Sequence, residues 1–288
     1  MKTFSFAQAY SSNNAPLPLA FFPCIITFSL LLPPCASLSQ DGLILLKIKK
    51  ADWGETNILS GWNESHQTPC GWSGISCDTF NTDTKIDLTV PFLSSNLTFA
   101  ICSLPNLTTL ILSLNEFSGS FPHGLLRCRR LRKLDLSSNH GSFPDGLLRC
   151  KRLRKLDLSR NEFARRLPSR ISELSELRKL YLDYNDFSGS IPPTFGMLSK
   201  PEALFLDHNR LNGTFEVPGN LKSLVSFDIG NNALQPGVVT RELRNSRQLR
   251  NIGLENCKIV GRIIYGVVFL RQFDAAGLVG YVAQSSTG

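Results

Sequence analysis

Residues 121–139 read FPHGLLRCRRLRKLDLSSN, and residues 143–161 read FPDGLLRCKRLRKLDLSRN. The two segments differ at three of nineteen positions and lie 22 residues apart along the chain. Self-similarity at a fixed period of this kind is typical of repeat proteins, in which each unit packs on its two neighbours. The pair therefore predicts a repeat fold rather than a single compact core.

The LxxLxLxxN pattern within the pair recurs elsewhere and is that of the leucine-rich repeat. After a degenerate unit at Ile86, frames begin at Leu104, Cys128, Cys150, Leu174, Leu198, Leu221 and Ser246. Leucines two residues apart predict a short strand with its apolar face inward. The predicted fold class is an α/β repeat: a leucine-rich-repeat solenoid, a right-handed curved coil with a parallel β-sheet on its concave face and a helical N-terminal cap.

The pattern divides the chain into four parts. We expect a signal peptide over residues 1–39, a cap over 40–79, about eight repeats over 80–263 and a degenerate tail over 264–288. Residues 17–32 are apolar and small residues follow, which is typical of a cleaved secretory signal. The predicted location is therefore extracellular, in the apoplast or cell wall; the alternative is an uncleaved N-terminal anchor at the plasma membrane.

The predicted cap must cover the exposed edge of the first repeat. Asp41 is the expected N-cap of its helix, and three tryptophans supply apolar area. Cys70 and Cys77 are close enough in sequence for a disulfide in a secreted protein, although two free thiols are the alternative.

With cap and repeats identified, the chain resembles the ectodomains of plant leucine-rich-repeat receptor-like kinases. The matching motifs are the cap string from Leu59 to Asp78 and repeats of the form SGSIPPTFGML. Stretches 101–112, 232–245 and 254–263 look most like the HAESA type. The resemblance covers about residues 40–263 and implies recognition of a secreted peptide or protein, with a membrane receptor kinase as a further partner.

The 288 residues contain no GxGxxG, HRD or DFG string, so the sequence supplies no kinase machinery. The histidines are scattered, with no nucleophile or metal-ligand spacing around them: His66, His123, His140 and His208. We therefore expect no enzymatic activity, no catalytic residues, no cofactor and no metal.

The concave face is the predicted binding surface, because its side chains stand in rows and do not serve the core. The candidate residues are Lys133, Asp135, Lys155, Asp157, Lys179, Tyr181, Asp183, Phe205 and Asp207. Tyr184 and His208 lie beside the last of these rows. Mixed aromatic and charged side chains suit a peptide ligand. The alternative is a solvated face whose opposite charges simply pair.

The formal net charge of +8 is concentrated in one block. From Arg127 to Lys179 there are 16 Lys/Arg against 6 Asp/Glu, and the rest of the chain has 15 against 17. A wall polyanion such as demethylated pectin is one interpretation, by similarity to polygalacturonase-inhibitor proteins. The signal peptide argues against nucleic acid. The alternative is a solvated charge run copied along with its leucines.

The remaining cysteines leave two options open. Cys128 and Cys150 begin neighbouring units, so they are either buried thiols or a disulfide with each other, and buried thiols are favoured. Cys102 and Cys257 are interpreted as core or turn positions.

Four N-x-S/T sequons predict glycosylation wherever the asparagine is exposed in a secreted chain. They begin at Asn63, Asn96, Asn106 and Asn212. Taken together, the sequence predicts an extracellular leucine-rich-repeat binding protein without kinase activity. The alternatives are a pectin-associated, polygalacturonase-inhibitor-like protein and a non-functional truncated receptor fragment.

Overall fold

A computed structural model describes residues 37–53, 57–79, 84–89, 93, 99–120, 128–214, 223–236, 248–258, 264–265 and 268–269. Most of the predicted signal segment, residues 1–39, and most of the predicted tail, residues 264–288, lie outside these ranges. The fold below belongs to the unit that begins at Leu38.

The cap opens with helix α1, Gln40–Ile48, which continues as a π-helical turn over Lys49–Trp53. The prediction of Asp41 as N-cap is wrong. Ser39 holds that position, because its Oγ accepts from the Gly42 N–H at 3.3 Å and Asp41 then falls within the first turn. Leu38 is also buried in the cap.

Tryptophans form the centre of the cap. Trp62 stacks on Trp72 with ring centres 5.4 Å apart, and Trp53 meets Trp62 edge-on at 5.9 Å. A disulfide joins Cys70 to Cys77, closing the short loop that carries Trp72. This cluster is continuous with the repeat core, so it covers apolar surface that the first repeat would otherwise expose to water.

One nine-stranded sheet runs through the cap and the repeats. Strand β1 (Ile75–Cys77) pairs antiparallel with β2 (Thr84–Asp87), and every later pairing in this sheet is parallel. The next strands are β3 (Leu107–Ile111), β5 (Lys133–Asp135), β7 (Lys155–Asp157), β8 (Lys179–Tyr181), β10 (Ala203–Phe205), β12 (Ser226–Asp228) and β13 (Asn251–Gly253). The predicted fold class is confirmed: a parallel leucine-rich-repeat solenoid with a helical N-terminal cap.

The side opposite the sheet is made of short elements. Among the described residues, four of these are 3₁₀ helices: Phe99–Ser103, Asp145–Arg149, Ser169–Glu173 and Pro193–Met197. Two parallel ladders join β4 (Ser118–Ser120) to β6 (His140–Ser142), and β9 (Ser188–Gly189) to β11 (Arg210–Leu211). A short hairpin follows the sheet, with β14 (Ile264–Tyr265) antiparallel to β15 (Val268–Phe269). Leucines from the strands and phenylalanines from the outer loops fill the space between the two sides.

Asparagine side chains tie successive coils together where each strand ends. Asn185 Nδ2 donates to the carbonyls of Leu158, Leu182 and Asp183 at 3.0–3.2 Å, and its Oδ1 accepts from the Phe163 N–H at 3.2 Å. The same arrangement occurs at Asn115, Asn139, Asn209 and Asn232. These amides satisfy backbone groups that the turn leaves unpaired.

Asn161 departs from this arrangement. Its Nδ2 makes the usual bonds, but its buried Oδ1 has no donor among the described residues. At the other asparagines of the column, the donor is the backbone N–H of the residue two positions after the preceding asparagine. For Asn161 that residue is Gly141, which lies in the shortened loop after Asn139. Phe143 lies nearby and packs its ring 5.8 Å from that of Phe163. The two missing loop residues therefore cost one inter-coil hydrogen bond.

The structure corrects the pairing of the repeat cysteines. Cys102 is bonded to Cys128, with α-carbons 4.7 Å apart, whereas a buried thiol was the favoured interpretation of Cys128. The 3₁₀ helix Phe99–Ser103 carries Cys102 to the point where the next coil begins, and this separation is well inside the bridging range. Cys150 and Cys257 are buried thiols. Cys257 stands in the asparagine column, and its Sγ donates to the Ile229 carbonyl at 3.2 Å.

Candidate functional site

Strand register places the candidate residues in rows across the open face of β5, β7, β8 and β10, which we call the concave face. Lys133, Lys155 and Lys179 are register partners on successive strands. The next outward row begins with Asp135 and Asp157 and continues with Tyr181, Phe205 and Asp228. Asp183 and Asp207 each lie two residues beyond the end of their strand. The fold therefore brings all nine predicted residues to one surface.

Lys155 lies at the centre of the acidic part of this face. Its Nζ is 3.2 Å from an Asp157 carboxylate oxygen and 3.9 Å from one of Asp135. The same ammonium lies 4.9 Å from the ring centre of Tyr181, within range of a cation–π interaction. Lys133 and Lys179, in contrast, have no ion-pair partner among the described residues. Internal charge pairing therefore accounts for only part of the face.

Tyr181 and Phe205 form an aromatic platform. Their rings stack at an interplanar angle of 20° with centres 5.2 Å apart, and both side chains are half-buried. Burial raises the pKa of the Tyr181 hydroxyl above its ordinary value, with nearby carboxylates contributing. Both side chains remain partly exposed on the open face of the sheet.

Asp183 borders this platform without a complete set of partners. Its Oδ1 is buried and has no hydrogen-bond partner within the described residues. Burial, followed by the neighbouring charge of Asp207, raises the pKa of its carboxyl to about 6. Asp207 is better supported, because its Oδ2 lies 2.9 Å from the Nδ1 of His208. The Asp183 carboxyl is therefore the acidic group on the face with most to gain from a ligand's donor or cation.

Two features of the face were missed by the sequence reasoning. Asp228 extends the second row, and burial raises the pKa of its carboxyl to about 6. Arg160 belongs to a stack along the rim, with its guanidinium 4.3 Å from the ring centre of Tyr184, which lies 4.0 Å from that of His208. These three residues each directly precede a column asparagine and have φ between 51° and 54°. The position before each asparagine was the signal that could have identified Arg160.

The histidines are distributed over separate parts of the molecule. His66 accepts from the Trp72 indole N–H at 3.1 Å, His140 lies 3.3 Å from Glu162, and His208 lies beside Asp207. His123 lies outside the described residues. Among those residues no group of three or more His, Cys, Asp or Glu side chains could hold a metal ion, and no helix is long and apolar enough to cross a membrane.

The sequon asparagines differ in accessibility. Asn63 and Asn212 are exposed. Asn106 is half-buried, and its Oδ1 accepts from Arg130 Nη1 at 2.9 Å. Asn96 lies outside the described residues. Glycosylation at these four positions stays a prediction.

Comparison with known proteins agrees with this architecture. Residues 38–78 match the leucine rich repeat N-terminal domain, and residues 152–174 and 176–198 match the leucine rich repeat. The chain therefore contains a leucine-rich-repeat N-terminal domain followed by leucine-rich repeats. It is homologous to plant leucine-rich-repeat receptor-like kinases, including receptor-like protein kinase HSL1 of Arabidopsis thaliana, to which it is 36% identical over 104 residues. That match covers 36% of this leucine-rich-repeat protein and 10% of the relative.

Solved structures place the fold among receptor ectodomains. The ectodomain of the Arabidopsis thaliana receptor kinase GASSHO1/SCHENGEN3, in complex with CASPARIAN STRIP INTEGRITY FACTOR 2, superposes with a TM-score of 0.70 at 27% identity. The match covers 77% of this leucine-rich-repeat protein and 27% of that chain. The ectodomain of the Arabidopsis receptor kinase HAESA, in complex with an N-terminally extended IDA peptide hormone, superposes with a TM-score of 0.60 at 27% identity. That match covers 75% of this chain and 41% of the HAESA chain. The predicted resemblance to receptor ectodomains, including HAESA, is confirmed.

Proposed function

We propose that this protein is an extracellular binding protein that recognises a peptide or protein ligand through its concave face and has no catalytic activity of its own. The single observation that carries the proposal is the half-buried Tyr181–Phe205 platform bordered by the Asp183 carboxyl, whose Oδ1 lacks a partner among the described residues. A rigid aromatic surface beside an unsatisfied acid is suited to bind an extended chain that carries an apolar and a basic side chain.

The energetic argument begins with the aromatic pair. The exposed parts of the Tyr181 and Phe205 rings offer apolar area, and burying such area under a ligand stabilises a complex by about 25 cal/mol per Å² before the costs of association. Because the rings already stack on each other, little side-chain entropy remains to be lost on binding.

Specificity would come from the charged rows on either side. A basic ligand group near Asp183 would stabilise its carboxylate electrostatically, and an acidic one could pair with Lys179. The rows therefore favour a ligand whose positive and negative groups are spaced along its length. A small neutral molecule would leave both rows unused.

The relatives support this function and a location outside the cell. GASSHO1/SCHENGEN3 is in complex with CASPARIAN STRIP INTEGRITY FACTOR 2 and HAESA with an IDA peptide hormone, each through a leucine-rich-repeat ectodomain. We propose by analogy that the present chain is secreted and that a membrane receptor kinase is a further partner.

The test measures binding of synthetic IDA and CASPARIAN STRIP INTEGRITY FACTOR 2 peptides and of an apoplastic peptide fraction to the secreted protein by calorimetry. Tyr181→Ala and Lys155→Glu should each weaken any interaction about tenfold or more. Arg250→Gln removes an exposed charge away from the face and is the control. Binding that neither face variant changes, or the lack of any binding, would contradict the proposal, and the latter would favour a non-functional receptor fragment.

A further inference from the structure

The outer side of the solenoid contains a cleft that the concave face does not use. Its volume is about 440 Å³, and it lies beside the 3₁₀ helix Ser169–Glu173. We call it the arginine cleft; its lining residues are Leu148, Arg165, Arg166, Leu167, Pro168 and Ser169, with Arg170. Leu148, Leu167 and Pro168 are buried and form an apolar floor, whereas the arginines are exposed.

Ion pairs neutralise part of the basic block around this cleft. Lys151 and Arg170 both bind Glu173, and Arg154 lies 3.2 Å from Glu176. These two carboxylates account for three of the cations. Both carboxylates are already counted in the net charge of the block, so its excess positive charge lies on the remaining cations.

Other arginines of the block keep their charge uncompensated. Arg149, Arg152 and Arg166 are exposed and have no acidic partner within the part of the chain that the structure describes. Arg166 lines the cleft itself, and Arg149 ends the 3₁₀ helix on the preceding coil. Positive charge without an acidic partner therefore lines the cleft at Arg166 and continues beside it at Arg149.

Two of the lining arginines are held in place by packing. The Arg166 side chain lies across Gly189, where an added Cβ would come within 3.2 Å of Arg166 Cγ. The Arg165 guanidinium lies 5.2 Å from the ring centre of Phe143. Fixed guanidinium groups lose less rotamer entropy when they bind an anion, so these contacts pre-organise the cleft.

We propose that the arginine cleft binds an acidic oligosaccharide, a chain of sugars that carry ring carboxylates. Guanidinium groups recognise carboxylates through two parallel hydrogen bonds. The flat apolar face of a sugar ring would lie on Leu148, Leu167 and Pro168, and its carboxylate would meet Arg166. Arg149 and Arg152 would attract neighbouring carboxylates along the same chain. This site is separate from the concave face and would attach the protein to an anionic matrix while the concave face stays open.

The experiment measures binding of a demethylated oligogalacturonide to the full secreted protein by calorimetry, with its fully methyl-esterified form as a second probe. Arg166→Gln should weaken binding about tenfold, the usual effect of losing a charged hydrogen-bonding partner. Arg166→Lys keeps the positive charge but not the planar guanidinium, so its affinity for the oligogalacturonide should fall several-fold. Arg250→Gln removes the same charge elsewhere and should bind as the wild type does. The methyl-esterified form should not bind.

Several outcomes would overturn the proposal. Equal losses in Arg166→Gln and Arg250→Gln would mean general charge attraction, as would wild-type affinity in Arg166→Lys. Equally tight binding of a sulfated oligosaccharide or a poly-glutamate peptide would show that ring carboxylates are not what the cleft selects. A thermal melt of each variant, unchanged from wild type, shows that lost binding does not come from unfolding.

Discussion

Tyr181 stacks on Phe205 across β8 and β10, with ring centres 5.2 Å apart, on the face of the sheet that does not contact the core. Their inward neighbours on the same strands, Leu180 and Leu204, are buried. Alternation along a strand thus separates residues that hold the fold from residues that remain available for binding.

That separation predicts different effects for two phenylalanines. Phe205→Ala should cost about 1 kcal/mol or less of unfolding free energy, because a cross-strand pair contributes little. Phe187→Ala removes a fully buried ring and should cost about 3–5 kcal/mol. Urea denaturation of both variants measures this difference. Similar losses for the two would show that the aromatic platform serves mainly the fold.

The asparagine column provides a comparison within one protein. Asn185→Ala should destabilise the protein by about 1 kcal/mol more than Asn161→Ala, because Asn185 also supports the Phe163 N–H whereas Asn161 Oδ1 has no donor among the described residues. Both variants lose the same three Nδ2 donations, so the difference isolates the acceptor. Thermal melts of both variants at one protein concentration measure this difference. An equal loss of stability in the two variants would show that Asn161 Oδ1 does accept a hydrogen bond.

Asp183 makes stability depend on pH. Its folded pKa of about 6 exceeds the ordinary carboxyl value of 3.8, so the unfolded chain releases this proton at lower pH than the folded chain. Stability therefore falls as pH rises from about 4 to about 6, and the loss is complete above that range. Asp228 contributes in the same direction through its own pKa of about 6.

Asp183→Asn should remove this penalty. We expect the variant to gain about 1 kcal/mol over wild type at pH 7, since solvent screening of a partly exposed carboxyl reduces the full shift, and to gain nothing at pH 4. Melting temperatures between pH 4 and pH 7 test this prediction, with Glu116→Gln at an exposed carboxyl as the control. A gain that does not change with pH would show that the carboxyl is not titrating.

The disulfide between Cys102 and Cys128 predicts the thiol count of the mature protein. Thiol labelling should leave Cys150 and Cys257 unreactive in the folded state and modify both on unfolding, because both are buried. Burial also raises the Cys150 pKa to about 11. Mutating both Cys102 and Cys128 to serine should lower the free energy of unfolding by about 3 kcal/mol, the scale expected for a disulfide that closes a loop of 26 residues. A peptide map that links Cys128 to Cys150 would contradict the structure.

Exposure of the sequons predicts which ones carry glycans. Asn63 and Asn212 should be fully occupied and Asn106 occupied less, because its side chain is half-buried beside Arg130. Enzymatic deglycosylation followed by peptide mass spectrometry reads each site separately. Full occupancy at Asn106 with none at Asn212 would contradict this order.

Periodicity was sufficient to predict the solenoid, because LxxLxLxxN places a ladder of leucines on the inner side of every repeat and strand alternation then orients the residues between them. That is why the rows from Lys133 to Phe205 could be predicted residue by residue. Tertiary structure alone decided what depends on distance across coils. The Cys102–Cys128 bond, the missing donor for Asn161 and the choice of Ser39 over Asp41 as helix cap each turn on a few ångströms between atoms. Repeat periodicity specifies which residues share a row, but not which side chains within reach of one another will bond.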